Sequence, residues 1–137
     1  MGDAAIADVP KWVARWVGLP FEDRGRGPAY DCWGLARAVV AERTGVVLPT
    51  HDEYETTRDH DRLGEVVVGA RGGFDQVLEP VEGDLVLFRI QGRPCHVGVV
   101  VAPPWFLHAW GGHTSALERW DAMRWANRVE GFYRWTR

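Results

Sequence analysis

The sequence predicts an α+β domain in which N-terminal helices pack on an antiparallel β-sheet. Three observations carry this. Apolar residues recur at helical spacing over residues 32–40. Three runs rich in β-branched and aromatic residues, "DLVLF" (84–88), "HVGVVV" (96–101) and "WFLHAW" (105–110), follow one another with turn residues between them. The helical signals precede the strand signals, which is the α+β order. No repeat, low-complexity stretch or compositional break divides the 137 residues, so one domain over 1–137 is expected.

Taken in order, residues 9–17, "VPKWVARWV", read as a short helix with Pro10 in its first turn and Gly18 as its stop. Residues 19–30 are rich in Gly, Pro and charge and read as loop. A second helix is expected over 32–44. Asp31 is a good N-cap, Gly45 a good stop, and Cys32, Leu35, Ala36, Val39 and Val40 share one face. Residues 46–80 carry a charged segment that reads as a helix leading into a loop, weakened by Gly64. After the three strands, residues 115–126 read as a short helix and residues 131–135 as a last strand.

Composition excludes several classes. A hydrophobic content of 46% argues against disorder. A net charge of −3 without a basic run argues against a nucleic-acid partner. No apolar stretch approaches the roughly 18 residues of a membrane span. The N-terminus lacks a basic start and an apolar core, so synthesis in the cytoplasm is expected, and work outside it requires another delivery route. Two cysteines make no disulfide framework. Eight tryptophans read chiefly as core and rim packing, with one or two indoles left to stack on sugar or peptide.

The chemistry centres on "DCWGL" (31–35). A thiol at a helix N-terminus feels the exposed N–H groups and the positive end of the dipole. With a histidine nearby, such placement pulls a thiol down to roughly 3.5–7.5. Its own backbone N–H is available to a developing oxyanion. His96 and His108 lie at an even separation on adjacent strands. An odd-numbered turn at 102–104 puts both on one sheet face, with His108 opposite Gly98, where a missing side chain leaves room for a ring or for the thiol; a two-residue turn puts them on opposite faces. The set Cys32, His96 and His108 then has the nucleophile, base and orienter logic of a cysteine hydrolase, which needs no cofactor. Cys95 adjoins His96, so strand alternation turns it the other way and it reads as packing, or as the loop side of the sheet. Cys95, His96, His108 and His113 lack the spacings of a metal site. His51 and His60 read as solvated, and Glu79, Glu82 and Asp84 as turn and strand-entry residues.

"YDCWGL" (30–35), "EGDLVLF" (82–88), "HVGVVV" (96–101) and "FLHAW" (106–110) together resemble the NlpC-type cell-wall peptidases, in the same order and with the same twelve-residue step between histidines. The resemblance covers about residues 10–135. Trp33 after the cysteine and the ending "NRVEGFYRW" resemble the versions encoded with phage tails and gene transfer agents. The resemblance implies a circularly permuted papain-like fold and a catalytic triad of Cys32, His96 and His108. It implies hydrolysis of amide bonds in peptidoglycan stem peptides, without metal or cofactor. Tyr30, Asp31, Trp33 and Trp110, which lie within these motifs beside Cys32 and His108, are the expected substrate contacts. In the phage-like branch the enzyme joins tail-tip or hub proteins and opens the target envelope for DNA delivery. The alternative is a structural tail-tip or hub-binding module with an inactive site. Two positions depart from the pattern. Trp33 stands where many secreted members have Ser, and Pro20–Phe21 where many have Pro-Tyr, with Tyr30 the nearest hydroxyl in sequence.

Overall fold

A computed structural model of the chain describes residues 5–51 and 53–136. Helix α1 spans Cys32–Thr44. The Asp31 carboxylate accepts from the Gly34 N–H at 2.8 Å, and Gly45, at φ 79°, closes the helix by donating to the Ala41 carbonyl. Leu35, Ala36, Val39 and Val40 are buried with Val97, Val99, Val101 and Leu107 of the sheet. Each large side chain so buried contributes about 1.5–3 kcal/mol. The first turn is also pressed against the loop before it. A Cβ at Gly34 would lie 2.0 Å from the Gly25 carbonyl oxygen, so only glycine lets residues 19–30 close over the helix tip.

The expected helix at 9–17 is instead a 3₁₀ turn, Lys11–Trp16, preceded by Pro10. Its two buried residues, Val13 and Trp16, are three apart, and the three-residue period puts both on one side. Helix α2 spans His60–Ala70, capped by Asp59, whose carboxylate accepts from the Arg62 N–H. Leu63 and Gly64 bury its inner face, and Gly64 passes close to the Arg93 stem. No helix is long and apolar enough to cross a membrane among the described residues.

Among the described residues, six antiparallel strands form one sheet, in the order β1-β6-β2-β3-β4-β5. They are β1 Phe74–Val77, β2 Leu85–Ile90, β3 Arg93–Ala102, β4 Trp105–His108, β5 Ala116–Arg119 and β6 Val129–Trp135. The β2–β3 connection is a two-residue hairpin, Gln91 and Gly92, with positive φ at both, as the I′ type requires. Asp84 at the entry to β2 accepts from the Val81 N–H and holds Arg134 of β6 in two bonds of 2.8 Å, which bears out its structural reading.

Two segments differ from expectation. The sequence predicts loop where β1 forms, and helix over residues 115–126. The second forms β5 and turns, with a 3₁₀ turn at Ala126–Arg128. Pairing decides both. β5 lies along β4 with Phe106 opposite Glu118 and His108 opposite Ala116, and β1 pairs with the end of β6. Neither strand carries an alternating pattern of its own.

Candidate active site

The β3–β4 register places both histidines. Pro103 and Pro104 alone form the turn, since Ala102 pairs with Trp105, and a two-residue turn would separate the rings. The register shifts between Val100 and Ala102, making Val101 an extra residue. Beyond the bulge Val99 faces Leu107, so His108 falls opposite Gly98, on the face that also carries His96. The space at Gly98 is filled by the Phe106 ring, 2.6 Å from where a Cβ would be, and not by imidazole or thiol.

The rings meet. His96 Nε2 lies 2.8 Å from His108 Nδ1, and His108 Nε2 lies 2.6 Å from Glu118 Oε2. The second oxygen of Glu118 accepts from the Trp125 indole N–H at 3.0 Å. Trp125 is fully buried and stacks on His96 at 5.5 Å while standing edge-on to His108 at 5.1 Å. Burial, then neighbouring cationic groups, hold His96 well below the usual imidazole range. His108 is lowered by burial, with Glu118 opposing. Glu118 is held down to about 2, chiefly by its bond to His108.

Cys32 enters from α1. It lines a cleft of about 470 Å³ together with His96, Cys95, Trp110, His60 and Arg58. The backbone N–H groups of Val97 and Trp33 favour the thiolate but are outweighed. The expected depressed thiol is not found. Cys32 is pushed up to about 12, first by burial and then by the adjacent Asp31 carboxylate, which together outweigh the helix dipole. Burial thus favours the neutral thiol in the unliganded site.

Cys95 is packed in the core, as expected, but strand alternation is not what places it. Phe88 pairs with His96 and Arg89 with Pro94, so Cys95 is the extra residue of a second bulge, where simple alternation fails. It is buried, and it lines the cleft beside Cys32 and His96. His60, expected to be solvated, lines the cleft too, its Nδ1 3.1 Å from Gln91 Oε1. His51 packs near Trp33 at 5.6 Å.

Of the expected substrate contacts, only Trp110 borders the cleft, edge-on to His96 at 4.6 Å. Trp33 lines an adjoining apolar pocket between α2 and the sheet and donates to the Pro49 carbonyl at 2.9 Å. Tyr30 lies outside the cleft, packed near Trp16 at 6.1 Å. Asp31 is sealed, at 0% exposure. Its oxygens accept from Gly34 N, Arg24 N, Arg26 and the Tyr54 hydroxyl, so it fastens the loop to the helix tip and touches no substrate. Asp31→Ala removes the helix cap and the acceptor of the Arg24 N–H and the Tyr54 hydroxyl, while Arg26 keeps the Gly25 and Thr50 carbonyls, and a loss of about 2–4 kcal/mol is expected in urea denaturation; a loss under about 1 kcal/mol would match a mere surface pair instead.

The NlpC/P60 family pattern matches residues 18–134. The chain belongs to the NlpC/P60 family. A probable endopeptidase NlpC homolog of Haemophilus influenzae is 30% identical over 129 residues, 92% of this chain and 59% of that protein. The chain thus spans somewhat over half of that relative's length. An NlpC/P60 family protein of Bacillus cereus superposes with a TM-score of 0.65 at 19% identity, covering 98% of this chain and 41% of the other. The NlpC/p60 domain of the peptidoglycan hydrolase SagA gives 0.57 at 20% identity, covering 88% and 90%. These establish the helix-plus-antiparallel-sheet fold, with which a permuted papain-like description is consistent.

Within the NlpC/P60 frame, three residues were missed in the sequence. Glu118 and Trp125 support the histidines. Tyr54 brings a hydroxyl to Asp31, beside Cys32, where Phe21 offers none; burial and then the Asp31 charge raise its pKa. Phe21 itself lines the cleft.

Proposed function

We propose that the protein is a cysteine endopeptidase that hydrolyses amide bonds in peptidoglycan stem peptides. The observation that carries the reading is His96, which borders one cleft with the Cys32 thiol and is backed by His108 at 2.8 Å, in an NlpC/P60 fold. His96 spends Nε2 on His108, so Nδ1 is its nitrogen for the thiol. Cys32 Sγ attacks the scissile carbonyl carbon while its proton passes to His96 Nδ1. The Cys32 backbone N–H, which the helix itself cannot bond, supports the oxyanion. Collapse breaks the C–N bond, His96 Nδ1–H protonates the leaving amine, and a thioester remains. Water, giving its proton to His96, then releases the carboxylate and restores the thiol. No cofactor enters this sequence.

Purified peptidoglycan digested with the protein is expected to yield fragments, by mass spectrometry, with new amine and carboxyl ends within the stem peptide. An unchanged digest would favour the structural module with an inactive site. Delivery on a phage-like particle, through contacts with tail-tip or hub proteins, is supported by "DCWGL" and "NRVEGFYRW". Its test is immunodetection of the chain in purified particles, where absence from the particles overturns the delivery route.

A further inference from the structure

Glu118 stands at the far end of a hydrogen-bonded string that begins in the cleft. Its Oε2 lies 2.6 Å from His108 Nε2, and His108 Nδ1 lies 2.8 Å from His96 Nε2. An ionised carboxylate only accepts, so the proton on that first contact belongs to His108 Nε2. A neutral imidazole carries one N–H, which leaves His108 Nδ1 bare. The bond to His96 then requires a proton on His96 Nε2, and by the same rule His96 Nδ1 is bare. We propose that Glu118 is a positioning residue that fixes the tautomers of both histidines, so that His96 presents a lone pair to the thiol. This rests on the peptidase reading above and adds to it a fourth member that touches no substrate.

The arrangement has a second consequence. When His96 Nδ1 takes the thiol proton, every other proton in the string keeps its place. The imidazolium donates from Nε2 to His108 Nδ1, and His108 still donates to Glu118. No ring flips and no hydrogen bond is broken at the moment of reaction, which is what a preorganised site requires. Trp125 holds the carboxylate in register by donating to Oε1, and Arg124 lies 3.7 Å from the same oxygen.

The Gln variant discriminates sharply, because it keeps the shape and reverses the wiring. The Trp125 N–H and the Arg124 guanidinium both demand an acceptor at the Oε1 position. The amide oxygen of Glu118→Gln therefore turns to them, and the NH₂ faces His108 Nε2. That nitrogen must give up its proton, His108 becomes Nδ1–H, His96 Nε2 becomes the acceptor, and His96 Nδ1 carries the proton. The base is then the wrong tautomer. Glu118→Ala imposes no tautomer and leaves a mixture.

The expected order of kcat/KM on muropeptide is wild type, then Glu118→Ala lower by about 10–100-fold, as for loss of an outer support. Glu118→Gln falls furthest, by roughly 10⁴-fold, the size of a wrong-tautomer penalty in a Ser–His–Asp site. Imidazole ¹⁵N spectra, recorded in the Cys32→Ala background at neutral pH, are expected to show His96 protonated on Nε2 and to show the proton on Nδ1 once Glu118→Gln is added. Persistence of the Nε2–H form in Glu118→Gln overturns the proposal, as does a Glu118→Ala variant more damaged than Glu118→Gln. The spectra need no turnover, so a tautomer switch in a protein without hydrolytic activity would retain this inference while defeating the peptidase reading.

Discussion

Cys32→Ala is expected to lower muropeptide hydrolysis by roughly 10⁴-fold or more, the scale of deleting a nucleophile from a unit that acts together, while Cys95→Ala keeps kcat/KM of the same order as wild type. The comparison matters because the structure brings both thiols to the cleft. Acidity does not separate them in favour of Cys32, which is pushed up to about 12 against about 11 for Cys95, both by burial first. What separates them is the element each stands on. Cys32 opens α1, so an acyl group on its sulfur lies against N–H groups the helix leaves unpaired. The Val97 and Trp33 N–H groups already favour its thiolate. Cys95 sits in a strand bulge and has no helix terminus behind it. Substitution of Cys32 by Ala removes one sulfur from a packed first turn whose cap, Asp31, is untouched, so the fold is expected to persist in the amide spectrum. Activity that survives Cys32→Ala and disappears with Cys95→Ala would move the nucleophile to β3.

The sequence carries α1 almost residue for residue, because its signals are local. Asp31 caps three residues ahead, Gly45 stops the helix, and the apolar face needs no partner to be visible. The β2–β3–β4 meander is readable for the same reason, with "QG" and "PP" marking its turns. The features that shape the site are of another kind. Val101 and Cys95 become extra residues only when two strands align, and the first of these bulges decides which face His108 takes. Glu118 lies ten positions after His108 and meets it only because β5 pairs with β4. Trp125 reaches Glu118 through turns that the helical reading of 115–126 erases. Tyr54 lies in a stretch without periodicity and joins Asp31 across 23 residues. Asp31 itself was legible as a cap, and the same bonds that make it one remove it from the list of groups a substrate can touch.

Alkylation of the unliganded protein by iodoacetamide is expected to accelerate about tenfold per pH unit from pH 6 to pH 9 at Cys32, with no plateau. The thiolate is the reacting form, and burial holds the thiol well above neutral pH, pushed up to about 12. A preformed thiolate–imidazolium pair would react at a rate nearly independent of pH over this range. Hydrolysis is expected to behave differently. The step needs His96 neutral and Cys32 protonated, so that the proton can pass between them as the carbon–sulfur bond forms. Burial and then the positive groups around it lower the pKa of His96, so its neutral form persists below pH 6.5. The acid limb of kcat/KM therefore lies well under the usual histidine value, and across pH 6–8 the profile is flat. A steep alkylation slope beside a flat activity profile identifies general-base transfer at the moment of attack. An alkylation plateau at mildly acidic pH would mean that the sulfur pairs with His96 before substrate arrives. Asp31, which lies beside the sulfur and is already held by four donors, would then have to tolerate an imidazolium pairing with the thiolate without changing its own bonds.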